Sequence, residues 1–194
     1  MKVLFTLLLC LLGGFASAQT GGPLTIRITQ GVEGALPIAI VPFEWAGQPL
    51  PQDIAQVISN DLTRSGRFNV MPAADLPARP SDVAQVNYKD WRTVGQDNLV
   101  IGRITATADG GYMVEFRLLD VYGGKQLAGF QIPSHVSNLR LTAHHISDII
   151  YKTLLNVDGA FSTRIAYVTV DRKDAKNSTY RLQIADADGY DAKT

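Results

Sequence analysis

Apolar positions are densest between residues 37 and 43, where the chain reads Pro-Ile-Ala-Ile-Val-Pro-Phe. Apolar side chains fall on both alternating faces of this run, which is typical of a strand covered on both sides. Its β-branched residues are Ile38, Ile40 and Val41. Because Pro42 lacks a backbone N–H, we expect the ladder of hydrogen bonds to end there.

Directly after this strand the apolar positions change to helical spacing. They are Ile54, Val57, Ile58 and Leu62. Pro51 suits the first turn of the predicted helix, and Gly66 suits the left-handed position that ends it. Residues 68–71 return as a short strand, so the chain from 37 to 71 predicts a strand–helix–strand unit.

Three further strands are predicted after a proline-containing connection, residues 72–94. The connection ends in a short predicted helix, where Trp91 is interpreted as a core anchor because large aromatic side chains mostly serve packing. Glycine pairs mark the turns between the strands, so the strands form an antiparallel meander. The predicted strands are 98–107, 112–121 and 126–132.

A last long helix is predicted from about residue 139, with Ser137 or Asn138 as its cap and Asn156 as its left-handed end. Its apolar stripe is Leu139, Ala143, Ile146, Ile149, Ile150 and Leu154. The order of elements predicts a mixed α/β fold of the α+β kind, in which a mixed five-stranded sheet is covered by two main helices.

A new pair of strands, 164–170 and 181–185, is predicted beyond a domain boundary near Val157. One hairpin is only marginally stable alone. Residues 158–194 are therefore either the start of a second domain that is cut off or a hairpin packed on the first domain.

Residues 1–18 have the pattern of a secretory signal peptide. Lys2 supplies the positive charge, a largely apolar run follows to Leu12, and Ala16-Ser17-Ala18 fits the cleavage pattern. The run is too short for a bilayer core that needs roughly 20 residues. Cys10 lies inside the apolar run after Leu9, which does not suit lipidation.

Cleavage after Ala18 removes the single cysteine, which excludes disulfides, zinc–thiolate sites and cysteine nucleophiles from the mature chain. It leaves 17 basic and 18 acidic residues, a net charge of −1. That balance provides no electrostatic footprint for nucleic acid or an anionic membrane.

Residues 19–34 are rich in glycine and enclose a run that alternates with period two. Leu24, Ile26 and Ile28 share one face, and Thr25, Arg27 and Thr29 share the other. A strand between glycines can add itself to the sheet edge of a partner, so we predict a partner-binding segment here. The alternative is an N-terminal edge strand of the same domain.

The cluster His144, His145 and Asp148 is the nearest approach to a metal site. Adjacent histidines diverge on a helix, so a structural or surface role is favoured over a site that needs three or four converging ligands. The sequence Asp186-x-Asp188-Gly189-x-Asp191 resembles a calcium loop faintly, but Asp-Gly is ordinary turn chemistry, and the turn interpretation is favoured.

Nucleotide and hydrolase signatures are lacking. The glycine pairs form neither G-x-G-x-x-G nor a P-loop, and there is no G-x-S-x-G elbow. The sequence therefore predicts a chain that is not an enzyme and has no catalytic residues, cofactor, metal or small-molecule substrate.

Several motifs in order resemble the TolB family. They are residues 38–43, Asp61-Leu62, 65–68, His144, Ser147-Asp148, Gly159-Ala160-Phe161 with 163–168, and 185–190. Asn156 and Ala185 stand where the family often has Gly and Ser. The larger departure is that the six-bladed β-propeller that follows in the family is nearly absent.

The resemblance implies a non-enzymatic periplasmic adaptor of the Tol–Pal system of Gram-negative envelopes. It implies that residues 23–34, with Leu24 to Thr29 at their centre, bind the C-terminal domain of TolA. It also implies that the lipoprotein Pal binds mainly the propeller, of which residues 158–194 are the truncated first strands. Other outer-membrane proteins are further expected partners.

Two alternative classes remain open from the sequence. One is a related periplasmic regulator of the cell wall or of outer-membrane assembly that shares the α/β domain. The other is a secreted α/β enzyme, which requires a deep pocket containing titrating groups with shifted pKa values.

Overall fold

The computed structural model describes residues 34–172 and 177–194. The strands within these ranges are β1 (Leu36–Ile40), β2 (Phe68–Val70), β3 (Asn98–Ala106), β4 (Tyr112–Asp120), β5 (Lys125–Ser134), β6 (Arg164–Arg172) and β7 (Ser178–Asp186). The α-helices are α1 (Ile54–Arg64), α2 (Tyr88–Thr93) and α3 (Leu139–Leu155).

Five strands form one mixed sheet in the order β2-β1-β3-β4-β5. β1 runs parallel to both of its neighbours, whereas β3, β4 and β5 form an antiparallel meander. The predicted fold, a mixed five-stranded sheet with two main helices, is confirmed.

β1 is covered on both faces, as its apolar run predicts. Ile38 and Ile40 belong to the core under α1 and α3, whereas Ala39 and Val41 belong to a second core on the other face. The strand ends at Ile40, two residues before the proline.

Two hydrophobic cores therefore lie on opposite faces of one sheet. α1 and α3 cover the first, which also contains Phe116 of β4. The short helix α2 covers the second with Trp91, which is completely buried, so its predicted role as a core anchor is confirmed.

The start of α1 differs from the prediction. Pro51 lies outside the helix, and Asp53 is the cap: its Oδ1 accepts a hydrogen bond from the Gln56 N–H at 3.1 Å. A capping carboxylate satisfies an N–H group that proline cannot satisfy. The end of α1 is as predicted, because Gly66 has a φ of 68°.

The start of α3 differs from the prediction, whereas its end is as predicted. Ser137 and Asn138 belong to a 3₁₀ turn, Val136–Asn138, and although Asn138 takes the cap position its side chain caps no N–H group. Asn156 ends the helix in the left-handed conformation, with a φ of 54°. No helix in the described ranges has the length and apolar character needed to cross a membrane.

β6 and β7 form a separate antiparallel pair. Both strands extend further than the apolar pattern predicted, because the register continues from Arg164 opposite Asp186 to Arg172 opposite Ser178. Main-chain pairing does not depend on an apolar pattern where a strand faces water. β7 faces water at Tyr180 and Leu182, because both side chains are more than half exposed.

The substitution Ile40→Asp tests the role of β1. Ile40 is 3% exposed, so the variant buries a carboxylate without a partner and is expected to lose at least about 3 kcal/mol of unfolding free energy. Urea denaturation measures the loss. Ile165→Asp is the control, because Ile165 is 41% exposed in β6. Equal stability of the two variants would contradict the central place of β1.

Candidate functional site at the hairpin contact

The turn that follows β7 contacts both long helices. Within the turn, the Gly189 N–H donates to the Asp186 carbonyl at 2.8 Å, and the Tyr190 N–H donates to Asp188 Oδ1 at 3.0 Å. Gly189 has a φ of 86°, a conformation that glycine adopts without strain. The interpretation of this sequence as a turn is confirmed.

Arg140, near the start of α3, is the cation of the contact. Its guanidinium donates to Asp188 Oδ2 and, at 3.3 Å, to Gln52 Oε1. It also lies over the Tyr190 ring, 4.0 Å from the ring centre. The arginine thus combines a charge-assisted hydrogen bond with a cation–π contact on one turn.

His144 lies one helical turn after Arg140 and joins α3 to α1. Its Nδ1 is 2.6 Å from Asp61 Oδ2, and both side chains are 1% exposed. Because a carboxylate only accepts, Nδ1 carries the hydrogen. Asp61 also accepts from Arg64 at 3.0 Å, and Arg64 donates to the Ala187 carbonyl at 2.8 Å.

The other nitrogen of His144, Nε2, is buried and has no hydrogen-bond partner among the described residues. The nearest carboxylate oxygen, Asp188 Oδ2, is 3.9 Å away. That separation is too long for a hydrogen bond.

Asp188 is held in its charged form. Burial disfavours its ionisation, but the Tyr190 N–H, the Arg140 guanidinium and His144 outweigh burial, so the pKa of Asp188 lies below its ordinary value. The carboxylate therefore remains an acceptor for Arg140 at neutral pH.

A second contact holds the start of the hairpin to α3. The Asp148 carboxylate accepts the backbone N–H groups of Phe161 at 2.8 Å and Ser162 at 3.1 Å. A Cβ on Gly159 would lie 2.3 Å from Asp148 Oδ1, so this close approach requires glycine. Phe161 packs edge-on against Tyr151, with ring centres 5.6 Å apart. The Gly-Ala-Phe motif is thus a docking sequence for α3.

The three residues considered as a metal cluster do not converge. His145 is exposed, Asp148 holds the hairpin, and His144 is buried against Asp61. A different set, Asp61, His144 and Asp188, offers ligand atoms within 4.8 Å of one another. Its donor set suits a cation poorly, because each carboxylate is already paired with an arginine.

The Asp61–His144 pair resembles the carboxylate–imidazole half of a catalytic triad. The two arrangements differ at Nε2. In a triad this nitrogen contacts a hydroxyl nucleophile, whereas in His144 it faces the carboxylate of Asp188. What the arrangement can do chemically is hold the turn against the helices and exchange a proton at Nε2.

The partner-binding residues predicted from the sequence, Leu24 to Thr29, lie outside the described residues, as does the signal peptide, so both remain predictions. The polar contact was missed because its members are far apart in the chain. One signal was available: Asp61 falls three residues after Ile58, on the apolar stripe of α1, where a polar side chain needs a buried partner.

The fold and this contact define an α/β domain with a β-hairpin docked on its helical layer. The chain belongs to the TolB family, because the family model described as the TolB amino-terminal domain matches residues 24–127. Proteins of this family are components of the Tol–Pal system, as the names of the chain's relatives state.

The relatives are similar over nearly the whole chain. The Tol-Pal system protein TolB of Thioalkalivibrio sulfidiphilus is 46% identical over 97% of this chain and 42% of its own length. That of Nitrosococcus oceani is 46% identical over 88% of this chain and 39% of its own length. The crystal structure of TolB from Acinetobacter baumannii has a TM-score of 0.72 at 36% identity, covering 87% of this chain and 40% of that one. The chain thus spans about two fifths of these relatives.

The substitution Asp148→Ala tests the second hairpin contact. It leaves two backbone N–H groups without their acceptor, so we expect a loss of about 2 kcal/mol in unfolding free energy. Urea denaturation measures it. Asp158→Ala is the control, because the ion pair of Asp158 with Lys152 is largely exposed and contributes within about 0.5 kcal/mol. Similar losses in both variants would refute the docking role of Asp148.

Proposed function

We propose that this chain is part of a non-enzymatic periplasmic adaptor of the Tol–Pal system, which supports outer-membrane integrity and constriction during cell division. Membership of the TolB family is the observation that supports the proposal. The signal-peptide pattern of residues 1–18 supports a periplasmic location.

In the proposed organisation, residues 19–34 are the partner-binding segment, 35–157 the α/β domain, and 158–194 the start of a β-propeller. The separate pairing of β6 with β7 supports the last assignment. The exposed apolar side chains of this hairpin, among them Val168 and Leu182, are suited to packing against further strands of the proposed blade. The relative from Thioalkalivibrio sulfidiphilus is long enough to supply such strands, because this chain covers 42% of its length.

The proposed partner of Leu24 to Thr29 is the C-terminal domain of TolA. The segment alternates apolar and polar residues, as a peptide that adds itself to an exposed sheet edge does. The match to the family begins at Leu24 and includes the segment. Ordering a glycine-flanked segment costs free energy, so a modest affinity is expected. Pal is the proposed second partner, through the propeller, and other outer-membrane proteins are further candidates.

The double substitution Ile26→Asp with Ile28→Asp tests this proposal by calorimetry with the C-terminal domain of TolA. It removes two apolar contacts from one face of the proposed strand and is expected to weaken binding at least about a hundredfold. The melting temperature is expected to stay unchanged.

The control is Thr25→Asp with Thr29→Asp, which adds the same two charges to the opposite face. An equal loss of binding in both double variants would contradict the proposed strand geometry. Undiminished binding of the first variant would refute the assignment of the segment. A collapse of the melting temperature would favour an edge strand of the chain's own domain.

A further inference from the structure

The unpartnered nitrogen of His144 lies where two elements of the chain meet. Its Nδ1–H is bound to Asp61 on α1, while Nε2 faces Asp188 in the turn after β7. In a neutral imidazole with hydrogen on Nδ1, Nε2 carries a lone pair and cannot donate to a carboxylate. With a second proton, Nε2–H becomes a donor aimed at Asp188 Oδ2.

We propose that His144 is a proton-dependent latch that holds the turn 186–190 against α1 and α3. When Nε2 is protonated, it donates to Asp188 and completes a chain of hydrogen-bonded charges from Asp61 to the turn. When Nε2 is unprotonated, that link is absent, and the turn keeps its contacts with Arg140, Arg64 and Gln52.

The charged groups connected to His144 through ion pairs come from three elements of the described chain. α1 contributes Asp61 and Arg64, α3 contributes Arg140, and the end of β7 with its turn contributes Asp186 and Asp188. Three carboxylates thus surround two guanidinium groups, and a proton on His144 balances the charge.

Arg164 of β6 extends this set of charges, because its Nε lies 3.9 Å from Asp186 Oδ1. Its side chain is 67% exposed, so water screens its charge. Its contribution to the charge balance at the contact is therefore small.

A proton suits this position better than a metal ion. A dication needs several free lone pairs, whereas Arg64 and Arg140 already occupy oxygens of Asp61 and Asp188. A proton needs only the one lone pair of Nε2.

Imidazoles change charge in the range between about pH 5 and 8. A latch that depends on the second proton of His144 strengthens as the pH falls and weakens as it rises. The proposal concerns the contact of the hairpin with the helices, and it holds or fails independently of any binding to TolA.

Amide hydrogen exchange on the full chain, followed by NMR from pH 5.5 to 8.5, tests the latch. After correction for intrinsic exchange rates, the protection of residues 187–190 is expected to fall about tenfold from the acid to the alkaline end, the size of one hydrogen bond to a charged group. In His144→Gln, protection is expected to be independent of pH.

His145→Gln is the matched control. It removes the adjacent, exposed imidazole from the same helix, and it is expected to keep the pH dependence of the parent. Protection that varies equally in the parent and in His144→Gln would overturn the proposal, as would a loss of the pH dependence in His145→Gln.

A second measurement decides the matter if His144→Gln fails to fold. The NMR titration of the His144 imidazole is expected to shift the amides of residues 187–190 in parallel, and Asp188→Asn is expected to abolish that parallel shift. An imidazole that keeps one charge state throughout the range would overturn the latch. Stoichiometric binding of added zinc, lost in His144→Gln and kept in His145→Gln, would overturn it in favour of a metal site.

Discussion

Burial of β1 on both faces is the constraint from which the rest of the structure follows. Because Ile38 and Ile40 point to one face and Ala39 and Val41 to the other, each face needs a cover of its own. The helices α1 and α3 cover the first face side by side, and α2 covers the second with Trp91. Packing α1 beside α3 is also what brings the carboxylate of Asp61 to the imidazole of His144.

The contact between the helices and the hairpin follows from the cost of burying charge. Asp61 is almost fully buried, and a carboxylate at such a position must be paired. Both of its partners also reach the turn after β7. Arg64 donates to the Ala187 carbonyl, and His144 faces the carboxylate of Asp188. The buried carboxylate of Asp61 thereby helps to attach the β6–β7 hairpin, which begins more than a hundred residues later in the chain.

The α/β domain lies in the chain between the proposed TolA-binding segment and the hairpin. β1 follows the segment directly, and α3 directly precedes the hairpin. α1 and α3 pack on the same core as β1, and the same two helices contact the hairpin turn. The charge state of a single imidazole at that contact is therefore placed to alter how firmly the hairpin is held, whereas the two hydrophobic cores are stabilised by apolar burial that protons do not affect.

Elements whose residues are neighbours in the chain were predictable from local pattern alone. The two-faced apolar run of β1, the helical stripes and the glycine turns of the meander predicted the five-stranded sheet and its two main helices, because periodicity is a local property. Local rules were insufficient at the start of α1, where Asp53 caps the helix and Pro51 lies outside it. The link between Asp61, His144 and Asp188 depends on long-range packing, which brings the three side chains together. These residues are too far apart in the chain for any periodic pattern to relate them. A buried carboxylate must have a hydrogen-bond partner, but the sequence does not show which residue the fold brings to it.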